Sequence, residues 1–342
     1  MSENALSIHL TDDRIRIVDA NLSGSQINLP EIATISDLPP FLSILTDKSL
    51  GDVAKVIERL LGAIKSKKRN VNIVIPDSIS YAQIIEMPKL KEKELLSAIK
   101  YQADQFIPMP IEKTTLDLEI LQESAAQNTL LVLIVAAAED MVKKIEKLVE
   151  LSGLIPDSIE NELSATGRIL SQFYKPTVKP GGTLFVNFGS NSSSVYFFDH
   201  TLGLIIDSHT FTIGLNLFQK EIMANMNIDL QKAKELVKHY GTGEAASANL
   251  EEILEPAAVD LSREIENFMR ASVEKHSGIP VQSIQFFNEI DDIPSLVKKL
   301  ASHATIPLSR FSLDPFIVKT TLTNSYATQF SSFTCAIGGA LR

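Results

Sequence analysis

The side chains most often used for chemistry are thinly spread in this sequence. Its six histidines fall at no metal-ligand spacing. Its single cysteine, Cys335, lies in an apolar segment that reads as a closing strand, where a buried, inert thiol is expected. There is no Walker-type phosphate loop and no Gly-x-Ser-x-Gly nucleophile turn. Three features remain. Gly189-Ser190-Asn191-Ser192-Ser193 joins two strand-like runs and by composition is a hairpin turn. Thr11-Asp12-Asp13 is a second turn, with two carboxylates at its tip. Lys65-Ser66-Lys67-Lys68-Arg69 ends a helix, where cations complement the helix dipole; weak contact with anionic lipid is the alternative.

The elements that must position these residues alternate between strand and helix. Ala5–Leu10 and Arg14–Ala20 read as a hairpin. Asp52–Lys65 carries Val53, Val56, Ile57, Leu60, Leu61 and Ile64 on one helical face. Val71–Ile75 is a short strand ended by Pro76. A self-contained β-α-β-β-α block follows. It comprises a strand at Gln83–Glu86, a helix from Glu92 to Ile107 (Leu95, Ile99, Ala103 and Phe106 on one side, stopped by Pro108), strands at Thr115–Leu121 and Leu130–Ala137, and a helix at Asp140–Leu151 closed by Gly153. Lys179-Pro180-Gly181-Gly182 reads as a linker. Beyond it come strands at Thr183–Phe188, Ser194–Asp199 and Gly203–Thr212, helices to about Gly278, a strand at Ser283–Phe287, a helix at Pro294–His303 and a closing segment at Phe333–Leu341. Two halves that each begin with a hairpin and continue as mixed α/β suggest a duplicated architecture.

Composition bounds the function. The chain has 342 residues and a net charge of −10, with 44% hydrophobic residues and no Trp. Two domains with aliphatic cores are expected, and no nucleic-acid partner. One cysteine excludes an internal disulfide framework and fits a reducing compartment. The N-terminus lacks a signal-peptide pattern, and no apolar run approaches the ~20 residues of a membrane span.

Several ordered stretches resemble a known family. They are Val74-Ile75-Pro76-Asp77-Ser78, Ile84-Ile85-Glu86-Met87-Pro88, Glu94-Leu95, Ile107-Pro108, Asp117, Gly153-Leu154 with Pro156, Glu162 and Ala165, and Ala336-Ile337-Gly338 with Ala340-Leu341-Arg342. Together, over nearly the whole chain, they are similar to the PilM family of actin-like type IV pilus assembly proteins, related to FtsA. The resemblance implies a two-lobed α/β, actin-like (ribonuclease H-like) fold with an inserted small α+β subdomain. Residues 1–82 and 154–180 would form the first lobe and 83–153 the insert. Residues 181–224 and 280–342 would form the second lobe, with 225–279 as its helical subdomain.

The resemblance also implies a nucleotide site, and this sequence departs from it repeatedly. In the first phosphate hairpin His9, Thr11 and Arg16 stand where relatives have Asp, Gly and Lys. In the second, Asn187 replaces Asp, while Gly189, Ser190, Asn191, Ser192 and Ser193 keep a phosphate-hairpin composition. Of two adjacent glycines only Gly214 remains. Lys234 and Val237 replace a Glu and a Lys. At the adenosine corner, Asn288 and Glu289 follow the strand where relatives have Gly-Gly. A Glu289 carboxylate about 5 Å from a phosphate, at an effective dielectric near 20, would cost about 3 kcal/mol per charge pair, about a hundredfold in affinity. The expectation is a non-catalytic protein with no catalytic residue and no metal, and ATP–Mg²⁺ bound weakly if at all.

By resemblance the partner is the cytoplasmic N-terminal tail of a PilN-like single-span membrane protein, held extended in a groove. The expected floor is Asn72, Val74, Ile75, Gln83 and Ile85 with the helix face at Leu95 and Ile99. Other platform proteins, motors and self-association are further expected partners, with the protein cytoplasmic and held at the inner membrane face through its partner. Two alternatives are a working actin-like ATPase, with Asp12 or Asp292 as replacement carboxylate, and the cytoplasmic part of a type II secretion platform protein. The latter continues into a membrane span, and this sequence ends at Arg342.

Overall fold

The computed structural model describes residues 5–42, 46–101, 107, 109–124, 128–240, 248–302 and 304–342. The chain divides into two compact units. The first holds Met1–Ser23, Asn28–Arg168 and Ala336–Arg342; the second holds Gly24–Ile27 and Ile169–Cys335.

The first unit is built on a five-stranded sheet. Strands β1 (Leu6–Leu10) and β2 (Ile15–Ser23) form the expected antiparallel hairpin, with His9 opposite Arg16. Strand β4 (Asn70–Ile75) lies parallel to β1. Two further strands complete the order β3-β2-β1-β4-β8: β3 (Gln26–Ile35) and β8 (Ile155–Asn161), one at each edge. Alternation sorts the side chains. Leu6, Ile8, Leu10, Val71, Ile73 and Ile75 join one core with helices α1 (Asp47–Ile64) and α3 (Glu139–Leu151), through Val53, Ile57, Ile145 and Leu148. Each fully buried side chain of this kind contributes about 2 kcal/mol. Thr46 and Ser49 cap the start of α1 reciprocally, and Lys65 ends it in a left-handed conformation. The basic run therefore lies beyond the helix, and its Lys68 bonds Asp19 at 2.7 Å.

Helices α4 (Glu162–Phe173) and α10 (Thr334–Ala340) serve the other face. A methyl group on Gly338 would meet the Ala165 carbonyl at 2.2 Å, and one on Gly339 would meet Ser7 Oγ at 2.4 Å. The glycine pair is what lets α10 sit this close. Cys335 is buried in α10, a helix, and not in the strand expected from its apolar surroundings.

Inserted between β4 and α3 is an antiparallel sheet of order β5-β7-β6, made of β5 (Ser80–Pro88), β6 (Thr114–Ser124) and β7 (Thr129–Ala138). Helix α2 (Glu92–Tyr101) covers one face. The expected continuation of α2 through Ala103 and Phe106 to Pro108 falls on 102–106 and 108, outside the described residues. Gly153, at φ 71°, follows α3 as predicted.

The second unit repeats the first sheet's order. Strands β9 (Gly182–Phe188), β10 (Ser193–Asp199) and β11 (Leu204–Phe211) are antiparallel, β12 (Val281–Asn288) is parallel to β9, and β13 (Leu308–Arg310) is parallel to β12. The order is β11-β10-β9-β12-β13. Helices α5 (Leu215–Met226), α6 (Leu230–Leu236), α7 (Ala248–Lys275), α8 (Leu296–Ala301) and the short α9 (Thr321–Asn324) complete it.

Two boundaries differ from the sequence reading. The units divide inside α4, at Arg168/Ile169, and not at Lys179–Gly182. Gly182 is the first residue of β9, and a methyl there would lie 2.1 Å from the Phe197 ring, so this glycine serves packing. Residues 336–342 belong with the first unit.

Candidate functional site

The tip of the first hairpin is closed on itself. The Thr11 amide donates to the Arg14 carbonyl at 3.0 Å, and the carbonyls of Asp12 and Asp13 accept the amides of Phe41 and Leu38, each at 3.0 Å. Thr11 and Arg16 are both buried. His9 is fully buried, with Nε2 2.8 Å from Glu162 Oε1. The other oxygen of Glu162 accepts the Asp77 amide at 3.4 Å, and Asp77 Oδ1 accepts the Leu163 amide at 3.0 Å. The Pro76-Asp77 end of β4 and the first turn of α4 are thus locked together, with the His9 imidazole held against Glu162.

In the second unit the Gly189–Ser193 turn is stitched to the start of α5. The first amides of that helix, Leu215 and Asn216, donate to the carbonyls of Gly189 and Ser190 at 3.0 and 2.8 Å. Ser193 Oγ donates to the Ile213 carbonyl at 2.6 Å, and Asn216 Nδ2 to Asn191 Oδ1 at 2.9 Å. Gly214 is required because a methyl there would meet both hairpin carbonyls at 2.6 Å. The first two helix amides, which could otherwise meet an anion, are spent on the hairpin. Ser192 closes the turn, its carbonyl accepting the Gly189 amide at 3.1 Å.

Asn187 is buried at the end of β9, donating to Tyr196 OH at 3.3 Å and accepting from Asn288 Nδ2 at 2.8 Å. Asn288 has φ 73° and ψ −127°, a conformation that glycine adopts easily and asparagine does not. The corner thus has a glycine-type conformation at a residue that is not glycine. Glu289 is 1% exposed. Its side chain is packed inside the protein. Val237 is buried and Lys234 half-buried on and just beyond α6.

The groove residues are placed differently from the prediction. Leu95 and Ile99, on the inner face of α2, are buried against Met87, Leu130, Val132 and Ile134 of the sheet, and Ile85 packs against the same cluster. Gln83 lies on that face too, accepting from Tyr81 OH at 2.7 Å; burial raises the Tyr81 pKa. Val74 is fully buried beside Gly339. Asn72 Nδ2 donates to the Gly339 carbonyl at 3.0 Å, and Asn72 Oδ1 accepts from Ser158 at 2.7 Å. Gln83 and Ile85 thus share the sheet face that α2 covers. The opposite face of the small sheet carries the cross-strand pairs Thr115–Ala137 and Asp117–Val135, and these line a cavity of about 290 Å³ whose other wall is β8 and α3. Of the seven predicted residues, Ile75 lines it. Asn161 ends β8, caps α4 by accepting the Ser164 amide at 3.1 Å, and also lines the cavity. Sequence reasoning missed Thr115, Ser158 and Asn161. The Thr-Leu-Asp-Leu alternation of β6 was the signal for the first; β8, being polar and holding Pro156, gave none.

The family model described as type IV pilus assembly protein PilM matches residues 8–342. Among solved structures, a PilM-PilN type IV pilus biogenesis complex is similar with a TM-score of 0.83 at 20% identity, covering 99% of this chain and 98% of that one. Ethanolamine utilization protein EutJ from Carboxydothermus hydrogenoformans is similar with a TM-score of 0.56 at 9% identity, covering 98% and 89%. The shared architecture is the actin-like ATPase fold.

Proposed function

Because the chain belongs to the PilM family of type IV pilus assembly proteins, we propose that it is a non-catalytic adaptor. It binds the N-terminal tail of a PilN-like membrane protein and works at the inner membrane face through that partner. Other platform proteins, motors and further copies of the chain are the surfaces it would bridge to. The observation that carries this reading is the cavity between β6, β8 and α3, flanked by two edge strands. An extended segment there can add main-chain hydrogen bonds to an edge and place alternate side chains in the floor.

The residues at the nucleotide positions do not fit ATP–Mg²⁺. A metal-organising carboxylate is replaced by His9, held by Glu162, and by Asn187, held by Asn288. The amides at the start of α5 already have acceptors. No step is therefore assigned to nucleotide. Titration calorimetry with the tail peptide, and separately with ATP–Mg²⁺, tests this. The adaptor reading expects saturable heat with the peptide and none with ATP–Mg²⁺ at low micromolar concentration. Saturable ATP binding with turnover would replace it with a diverged ATPase.

A further inference from the structure

The segment Lys65-Ser66-Lys67-Lys68-Arg69 joins α1 to β4 and is cationic at four of its positions. Capping of α1 does not account for these cations. The last carbonyls of the helix are taken by backbone amides, Lys65 donating to Gly62 at 3.3 Å and Ser66 to Leu61 at 3.2 Å. Lys68 is held by Asp19 at 2.7 Å. Lys65, Lys67 and Arg69 are exposed, and among the described residues none of them makes an ion pair. They stand on a chain whose net charge is −10.

The fold sets two aliphatic side chains beside them. Strand β8 runs parallel to β4 with Ile155 opposite Asn70, and the Ile155 amide donates to the Arg69 carbonyl at 2.8 Å. Helices α1 and α3 share one core through Ile57, Leu61, Ile145 and Leu148, and each leads directly into one of these two strands. Both helices therefore end at the same end of the sheet. There Leu151, the last residue of α3, is 46% exposed and Ile155 is 56% exposed. The acids of these segments are Glu150 and Asp157, the latter accepting from Asn70 Nδ2 at 2.8 Å; the unpaired cations outnumber them. Unpaired cations flanking half-exposed aliphatic side chains match a bilayer interface, where phosphates lie just outside the acyl boundary. Nucleic-acid phosphates would suit the cations and leave the aliphatic pair unused.

We infer that this end of the first unit touches an anionic lipid bilayer directly, Lys65, Lys67 and Arg69 meeting headgroup phosphates while Leu151 and Ile155 enter the interface. This goes beyond the adaptor reading, in which a partner alone holds the protein at the membrane. Strand β8 connects the two: it starts in the patch at Ile155 and continues from Pro156 to Asn161 along the wall of the candidate tail site.

Co-flotation of the full chain with vesicles of phosphatidylcholine, alone or with phosphatidylglycerol added, tests this without any partner. Binding is expected to the anionic vesicles, weakening as salt rises, and not to the neutral ones. Each Lys or Arg near an anionic surface contributes about fivefold in partition, so Lys65→Gln, Lys67→Gln and Arg69→Gln together should lose about a hundredfold. Leu151→Ser with Ile155→Ser should lose several-fold and keep the salt dependence. All these positions are exposed, and circular dichroism checks that both variants fold. No binding to anionic vesicles, equal binding by either variant, or binding to duplex DNA in place of vesicles overturns the inference and leaves the adaptor reading standing.

Discussion

His9 and Glu162 meet at 2.8 Å in a nearly solvent-free site, and that pair decides what the first hairpin can do. Restoring a family-like carboxylate with His9→Asp places two acids together and removes the imidazole's contact with Glu162. It is expected to lower stability by on the order of 3 kcal/mol in urea denaturation and to produce no ATP turnover. At the β12 corner the conformation of Asn288 favours glycine. Asn288→Gly relieves that strain and Asn288→Ala does not, while both lose the bond to Asn187. Thermal or urea melts should rank Gly above Ala by about 1 kcal/mol. The departures from the nucleotide-site pattern were read from residue identity set beside the family resemblance. That the replacements are locked into new hydrogen-bond pairs was not, because Glu162 and His9 are 153 positions apart.

Elements explain where sequence reading succeeded and failed. Helix α1 and the buried strands announce themselves by periodicity. Strands β3 and β8 do not: each contains a proline and lies at a sheet edge, where partners and exposure, not residue type, allow the strand. The glycines of α1 and α10 separate the two roles of that residue. Gly51 and Gly62 have open space where a methyl would go, so alanine at either should raise stability by about 0.5–1 kcal/mol. Gly338→Ala drives a methyl into the Ala165 carbonyl and should cost at least about 2 kcal/mol. Both comparisons are read from denaturant midpoints. The join of β11 to α7 gives an acid-sensitive contact. Burial alone would raise the Asp207 carboxyl, but the His276 imidazole 3.5 Å away and hydrogen bonds from Lys275 and Ser272 outweigh it and bring its pKa to about 2. An unfolded aspartate titrates near 3.9. The contact's stabilisation is therefore present above about pH 4 and lost as pH falls toward 2. Asp207→Asn should flatten that part of the stability–pH curve.

At the scale of the whole molecule, the order β3-β2-β1-β4-β8 and its copy β11-β10-β9-β12-β13 are the structural form of the duplication inferred from paired hairpins. The inserted sheet breaks the symmetry, and the candidate partner site lies in the unit that carries it. Its existence was legible as a β-α-β-β-α block. Which of its faces is open was not, since that depends on α2 covering the side that bears Ile85, Met87 and Val132. The central claim is that this open face, and not a nucleotide, carries function. Hydrogen–deuterium exchange of the full chain, with the tail peptide and with ATP–Mg²⁺ in turn, tests it most directly. The account predicts that the peptide slows exchange in Thr114–Ser124 and Ile155–Asn161 and that ATP–Mg²⁺ changes nothing at 10–14 or 189–193. Slowed exchange at those two hairpin tips with ATP–Mg²⁺, and none in β6 and β8 with the peptide, would contradict it.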